Sequence, residues 1–224
     1  MLVELASTPV AAGLFFLYIK DKYEKEPCKM LFLGVLFGLY TAAVVYALGS
    51  FLEERFPHEE TPFYTAFFSS AGVEEAVKFL FLFFLIWGNR NFNEPLDGIV
   101  YGVFVSLGFA WAENVIYVTH PILGGYETAL ERALLSVPGH GLFGVQMGYY
   151  FALGKYRNRK RYLPLAFFSP YLAHALYNYF LLKREPVFWL FFSVLEVRLW
   201  VFGLKRIKEL QNCSPFREKV SKES

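Results

Sequence analysis

Three ionisable residues stand inside an apolar stretch near the middle of the chain: Glu74, Glu75 and Lys78, within AGVEEAVKFL. Three further stretches carry the same kind of intrusion. GFAWAENVIY holds Glu113 and Asn114, SVPGHGLFGVQMG holds His140, and SPYLAHALYNYF holds His174 and Asn178 one helical turn apart. Two imidazoles with one to three carboxylates suit a divalent metal such as zinc, where three protein ligands and one open position define a hydrolytic centre. A Glu that does not ligate serves as general base, activated water attacks an amide, and Asn114 or Asn178 stabilises the oxyanion. A metal-free version is also open, in which Glu and His together activate water and Lys78 or Asn178 supplies the electrostatics. The sequence does not separate the two. It has no HExxH, so no soluble zincin template transfers. Gly139-His140-Gly141 is not a nucleophile elbow, and no Ser or Cys has a persuasive partner.

These residues are costly where they stand. A charge at the centre of a membrane span costs roughly 2.5–3.5 kcal/mol on insertion scales, so the three in AGVEEAVKFL total about 8–10 kcal/mol, comparable to a domain's net stability. Lys78 follows Glu74 by four residues and Glu75 by three, within reach of either on a helix. A purely structural ion pair needs only one carboxylate. Gly102, Ser106, Phe109 and Glu113 share a helix face that belongs inside a bundle, although an isolated Glu near a helix end can also reach the interface. Pro138, Gly139 and Gly141 weaken the helix around His140. A lone intramembrane His is commonly a packing residue. Two of them, beside three Glu and two Asn in four successive stretches, favour function.

The elements that must position these groups are membrane helices. The chain of 224 residues is 55% hydrophobic and 20% aromatic, and its charges cluster between apolar blocks long enough to cross a bilayer. Seven spans are expected, at about 3–19, 30–52, 62–87, 96–119, 133–153, 163–182 and 186–203. Alternate loops carry sixteen and four Lys or Arg, which places the N-terminus outside and the C-terminus in the cytoplasm. The basic-rich set includes Arg159, Lys219 and Lys222. The first span has Glu4 and no basic lead, so it reads as an uncleaved helix. Residues 1–204 form one all-helical membrane domain and 205–224 a basic cytoplasmic tail able to meet anionic lipid. No nucleic-acid partner is expected. Gly34-x-x-x-Gly38, Gly98-x-x-x-Gly102 and Gly144-x-x-x-Gly148 read as close-packing faces. Cys28 and Cys213 read as reduced bystanders, His58 and His120 as exposed loop residues, and Glu196 and Arg198 as structural.

Depth ties the polar groups together. Glu75, Glu113, His140 and His174 lie about 13, 6, 7 and 8 residues from the outer ends of their spans, or roughly 9–20 Å deep. Helices running in opposite directions thus bring them to one level, as a shared site requires.

The ordered set Glu74-Glu75-x-x-Lys78, Phe109-x-x-x-Glu113-Asn114, His140-x-x-Phe143-Gly144 and His174-x-x-x-Asn178 resembles the motifs of the PrsW intramembrane proteases. The match runs from about residue 70 to 180, and KDKYEKEP resembles that family's first cytoplasmic loop. The family is similar to type II CAAX prenyl endopeptidases and bacterial abortive-infection membrane proteins. Lys78 and Glu113 stand where that wider group has Arg and His, which argues against prenylated substrates. The resemblance implies a hydrolase of the metalloprotease class making the first cut in a membrane-spanning anti-sigma factor under envelope stress. It implies Glu74 or Glu75 as water activator and Glu113, His140 and His174 as metal ligands, with Lys78, Asn114 and Asn178 assisting catalysis. A transporter or proton-coupled channel remains the rival reading, since buried Glu, His and Lys also build proton relays, and a non-catalytic scaffold is a third.

Overall fold

The computed structural model describes residues 1–55, 61–157 and 160–217. His58, Arg159, Lys219 and Lys222 lie outside them. The described residues are helical, with no strand. Helix α1 spans Leu2–Lys20, α2 Cys28–Arg55 and α3 Pro62–Tyr64. A π-helical segment, Thr65–Gly72, joins α3 to α4 (Val73–Ile86). Then follow α5 (Pro95–Val118), α6 (Tyr126–Leu134), α7 (Ser136–Tyr156), α8 (Leu163–Lys183) and α9 (Pro186–Asn212). Proline starts α3, α5 and α9, where its missing N–H is harmless.

Four helices, α1, α2, α5 and α9, are long and apolar enough to cross a membrane. The segments expected at 62–87, 133–153 and 163–182 are also helical. They are interrupted by the π segment or diluted by the polar residues of interest. The amphipathic α6 lies almost wholly before the span expected at 133–153, in what read as a loop, and is a separate short helix. Its N-cap is Gly125, whose φ of 116° only glycine adopts readily.

Helix α5 is the axis of the bundle, buried along most of its length. Its glycines set the distance to its neighbours. A Cβ on Gly102 would sit 2.7 Å from the Gly144 carbonyl oxygen of α7, and one on Gly148 would collide with the Gly98 carbonyl. On the other side, a Cβ on Gly38 of α2 would strike the Val105 carbonyl. The small-residue faces therefore do the packing work expected of them. We expect Gly148→Ala to wedge α5 from α7, at an overpacking cost of about 1–3 kcal/mol. A lower thermal midpoint in detergent checks this.

Helix α9 continues past residue 204 to Asn212, and Ile207 and Leu210 enter the main core. The start of the expected tail is thus packed helix, with the Gln211 amide donating to the Lys20 carbonyl. Cys28 and Cys213 are exposed and unpaired. His120 is exposed and caps its own turn, accepting from Leu123 N–H at 3.1 Å. Glu196 accepts from Trp200, and Arg198 faces outward.

Candidate active site

Helix α4 places Glu74, Glu75 and Lys78 on one face. The Lys78 ammonium lies 2.7 Å from Glu75 Oε1, 3.3 Å from Glu74 Oε2 and 3.3 Å from His140 Nδ1 of α7. It also sits 4.0 Å from the centre of the Phe109 ring of α5, a cation–π contact. All three α4 residues are almost fully buried. One ammonium thus faces two carboxylates, and a further contact reaches Glu75 from α8: His174 Nδ1 lies 2.9 Å from Glu75 Oε1.

The polar network extends outward from this centre. His174 Nε2 is 3.1 Å from the Asn178 amide, which donates to Ser70 Oγ at 2.9 Å. Ser70 in turn donates to Glu74 Oε1 at 2.8 Å. On the far side of His140, Nε2 meets Glu113 Oε2 at 2.9 Å. The His140 carbonyl accepts from Ser106 at 2.7 Å, and Phe143 stacks on the His174 ring at 4.6 Å. Helices α4, α5, α7 and α8 therefore meet in one connected group. A cavity of about 250 Å³ opens onto it, lined by Ser70, Glu113, Arg132, His140, His174 and Asn178 among others. Glu75 Oε2 is buried without a hydrogen-bond partner, an acceptor free to take a proton.

Asn114 sits apart from this centre. Its amide donates to the Ala6 carbonyl of α1 at 2.6 Å, and its oxygen accepts from Arg132 Nε at 2.8 Å. It ties α1 to the site's edge, with both polar atoms engaged. Arg132 itself is the residue that sequence reasoning left as an ordinary loop charge. Its Nη2 donates to Glu113 Oε2 at 2.9 Å, and its guanidinium covers the Tyr117 ring at 4.3 Å. The available signal was its position three residues after Ala129, the buried face of α6. Ser70 was also missed; its clue was the four-residue spacing to Glu74. Supporting partners of this kind typically carry 10–100-fold in activity. We expect Arg132→Gln to lower the cleavage rate within about that range, with Arg132→Lys intermediate because a point charge replaces a planar fork. A time course of substrate cleavage in detergent checks this.

The donor set also fits a metal. Glu74, Glu75, His140 and His174 each offer a ligand atom, all within 4.8 Å of one another. Glu113 is outside this convergent group, because its oxygen is held on the opposite side of the His140 ring and by Arg132. Two imidazoles with two carboxylates are ligands that zinc accepts. Lys78 contacts three of the four, so its ammonium and a cation compete for the same donors.

The family described as "PrsW family intramembrane metalloprotease" matches residues 26–203 of the sequence. The chain belongs to the PrsW family. Its relatives include proteins named Protease PrsW: one from Geobacillus kaustophilus is 37% identical over 93% of this chain and 91% of its own length. Those from Oceanobacillus iheyensis and Bacillus subtilis are 38% and 34% identical, over 89% and 94% of this chain and 91% and 96% of theirs. No solved structure matches. As a PrsW family member, the chain is an intramembrane metalloprotease, a multi-pass protein of a bacterial membrane that acts on protein substrate there.

Proposed function

We propose that this PrsW family protease makes the first cut in a single-span anti-sigma factor, on the outer side of the membrane, so that envelope stress leads to sigma-factor release. The supporting observation is Glu75. Lys78 and His174 hold one of its oxygens, and the other is buried and bare. In this reading Glu75 takes the proton of the attacking water and returns it to the leaving amide nitrogen. Lys78 and His174 keep the carboxylate oriented for that transfer. Asn178, bonded to Ser70 and His174, keeps the His174 ring oriented, and Arg132 at the cavity wall stabilises the developing oxyanion. Glu74, His140 and His174 are the residues that would hold a divalent cation, zinc by donor type. When bound, such a cation supplies Lewis-acid polarisation and acidifies water. Glu113 positions the His140 ring. Asn114 fixes Arg132 rather than meeting substrate.

The N-terminus-outside orientation rests on the distribution of Lys and Arg and puts the polar centre in the outer half of the bilayer. Co-expression with epitope-tagged membrane anti-sigma factors tests the proposal. A new fragment whose terminus maps to the outer half of the substrate's span, or just outside it, is expected. Cleavage only of other membrane proteins, or only on the cytoplasmic side, would overturn it.

A further inference from the structure

A second group of carboxylates gathers at the opposite end of α5. Asp21, Glu24 and Glu26 in the α1–α2 connection meet Glu94 and Asp97 where α5 begins. Asp21, Glu26, Glu94 and Asp97 are at most 2% exposed. Among the described residues none of the five forms an ion pair. Lys25 and Lys155 are near enough to act on Asp21 and Asp97 through the field, yet their ammonium groups go to the Tyr18 and Phe92 carbonyls. Such burial without neutralisation is normally avoided.

The carboxylates are nevertheless oriented. Asp97 Oδ2 accepts from the backbone N–H groups of Asn93 and Glu94, each at 2.8 Å. The Tyr101 hydroxyl donates to Glu26 Oε2, and Asp21 Oδ2 accepts from Glu26 N–H at 3.2 Å. The opposite oxygens, Asp97 Oδ1, Glu26 Oε1 and Asp21 Oδ1, are buried with no N–H or hydroxyl donor, as is Glu24 Oε2, and the Glu26 and Asp97 carboxyls lie against each other. Glu24, Glu26 and Asp97 bring ligand atoms within 4.8 Å of one another. Oxygens sharing a calcium-sized ion at about 2.3–2.6 Å are at most about 5 Å apart. One oxygen anchored and its twin left bare is how metal-binding carboxylates are held.

We propose that Glu24, Glu26 and Asp97, with Asp21 beside them, form a second divalent-cation site, for a hard ion of the calcium, magnesium or manganese class. An all-oxygen, carboxylate-rich donor set selects such ions over zinc. The site is 16 residues along α5 from Glu113, about 24 Å at helical rise, and so is separate from the catalytic group. Its ion clamps the α1–α2 connection to the start of the helix that carries Glu113.

The test is manganese binding to the full chain in detergent, followed by loss of the free-ion electron paramagnetic resonance signal. A His140→Ala/His174→Ala background removes the histidine-containing donors. One saturable manganese site is expected to survive there, to be displaced by calcium or magnesium, and to raise the thermal midpoint. Glu24→Gln, at a half-buried position that bears no backbone contact, should weaken that binding at least tenfold. Asp97→Asn, which keeps an acceptor for the Asn93 and Glu94 N–H groups, should do the same. If either background fails to fold, the same loss of one site is read from Glu24→Gln in the otherwise native chain. Absence of a saturable site, or binding unchanged in both carboxamide variants, would overturn the proposal and leave the carboxyls sharing protons.

Discussion

Glu75→Gln is expected to leave the substrate uncut, with the rate falling by about three orders of magnitude. Proton transfer by a positioned base contributes roughly 10²–10⁴-fold, and a carboxamide cannot take the proton. The substitution keeps volume and shape at a position with no exposed surface. It also keeps Lys78 paired, since Glu74 Oε2 remains 3.3 Å from the ammonium. Expression level and thermal midpoint should therefore stay close to native while cleavage disappears. Glu74→Gln is the informative companion. Glu74 is held by Ser70 and Lys78, with no bare oxygen left over. Its loss should lower zinc affinity together with rate. Zinc content after purification, measured beside activity in both variants, separates the two carboxylates. Equal and full activity of Glu75→Gln would remove it as the base.

The second large effect is on stability. Lys78→Met deletes the ammonium that is paired with two buried carboxylates and spans from α4 to His140. Stripping one partner from a buried ionic group costs about 3–5 kcal/mol, because the remaining charge stays in a poor solvent. For a chain of this size that corresponds to a fall in thermal midpoint on the order of 10 °C. Combining Lys78→Met with Glu75→Gln removes charge of both signs and should return much of the loss, without restoring cleavage. The non-additivity of the double-mutant cycle is the readout. A Lys78→Met protein as stable as the native one would show that the charges are satisfied by water or by protons instead.

The positions of Glu74, Glu75, Lys78, Glu113, His140 and His174 were legible because a charged or polar group in a long apolar block has no inexpensive place except a shared interior. Helical spacing alone put Lys78 within reach of both carboxylates and His174 beside Asn178. Direction was less legible. Asn114 is as polar as Asn178, but one residue after Glu113 means about 100° around the helix, enough to turn it to α1. Arg132 stands in YETALERAL, a stretch polar enough to pass for a loop, and only the packing of α6 between α1, α5 and α7 turns it inward. The donors that converge also depend on which face of the His140 ring each carboxylate approaches, and no spacing rule encodes that. The glycine faces were easier: a residue with no side chain repeated every fourth position admits a neighbouring backbone wherever it falls.

The π-helical stretch Thr65–Gly72 carries a mechanical consequence. It winds one residue more per hydrogen-bonded ring than α-helix does, and the Phe67 carbonyl faces Gly72 five positions on. Deleting a single residue there would tighten the coil to ordinary winding and leave Val73–Ile86 undisturbed. Because the wider ring is what absorbs the extra residue, the turns before it would keep their bearing on the axis. The aromatic rim of Phe63 and Phe67 would stay on the side that meets Tyr179, while the Ser70 hydroxyl, inside the rewound segment, would lose its place between Glu74 and Asn178. The winding of this one rod and its chemistry are thus geared together through Ser70, and a change of length here would be felt at the carboxylate before it was felt at the rim.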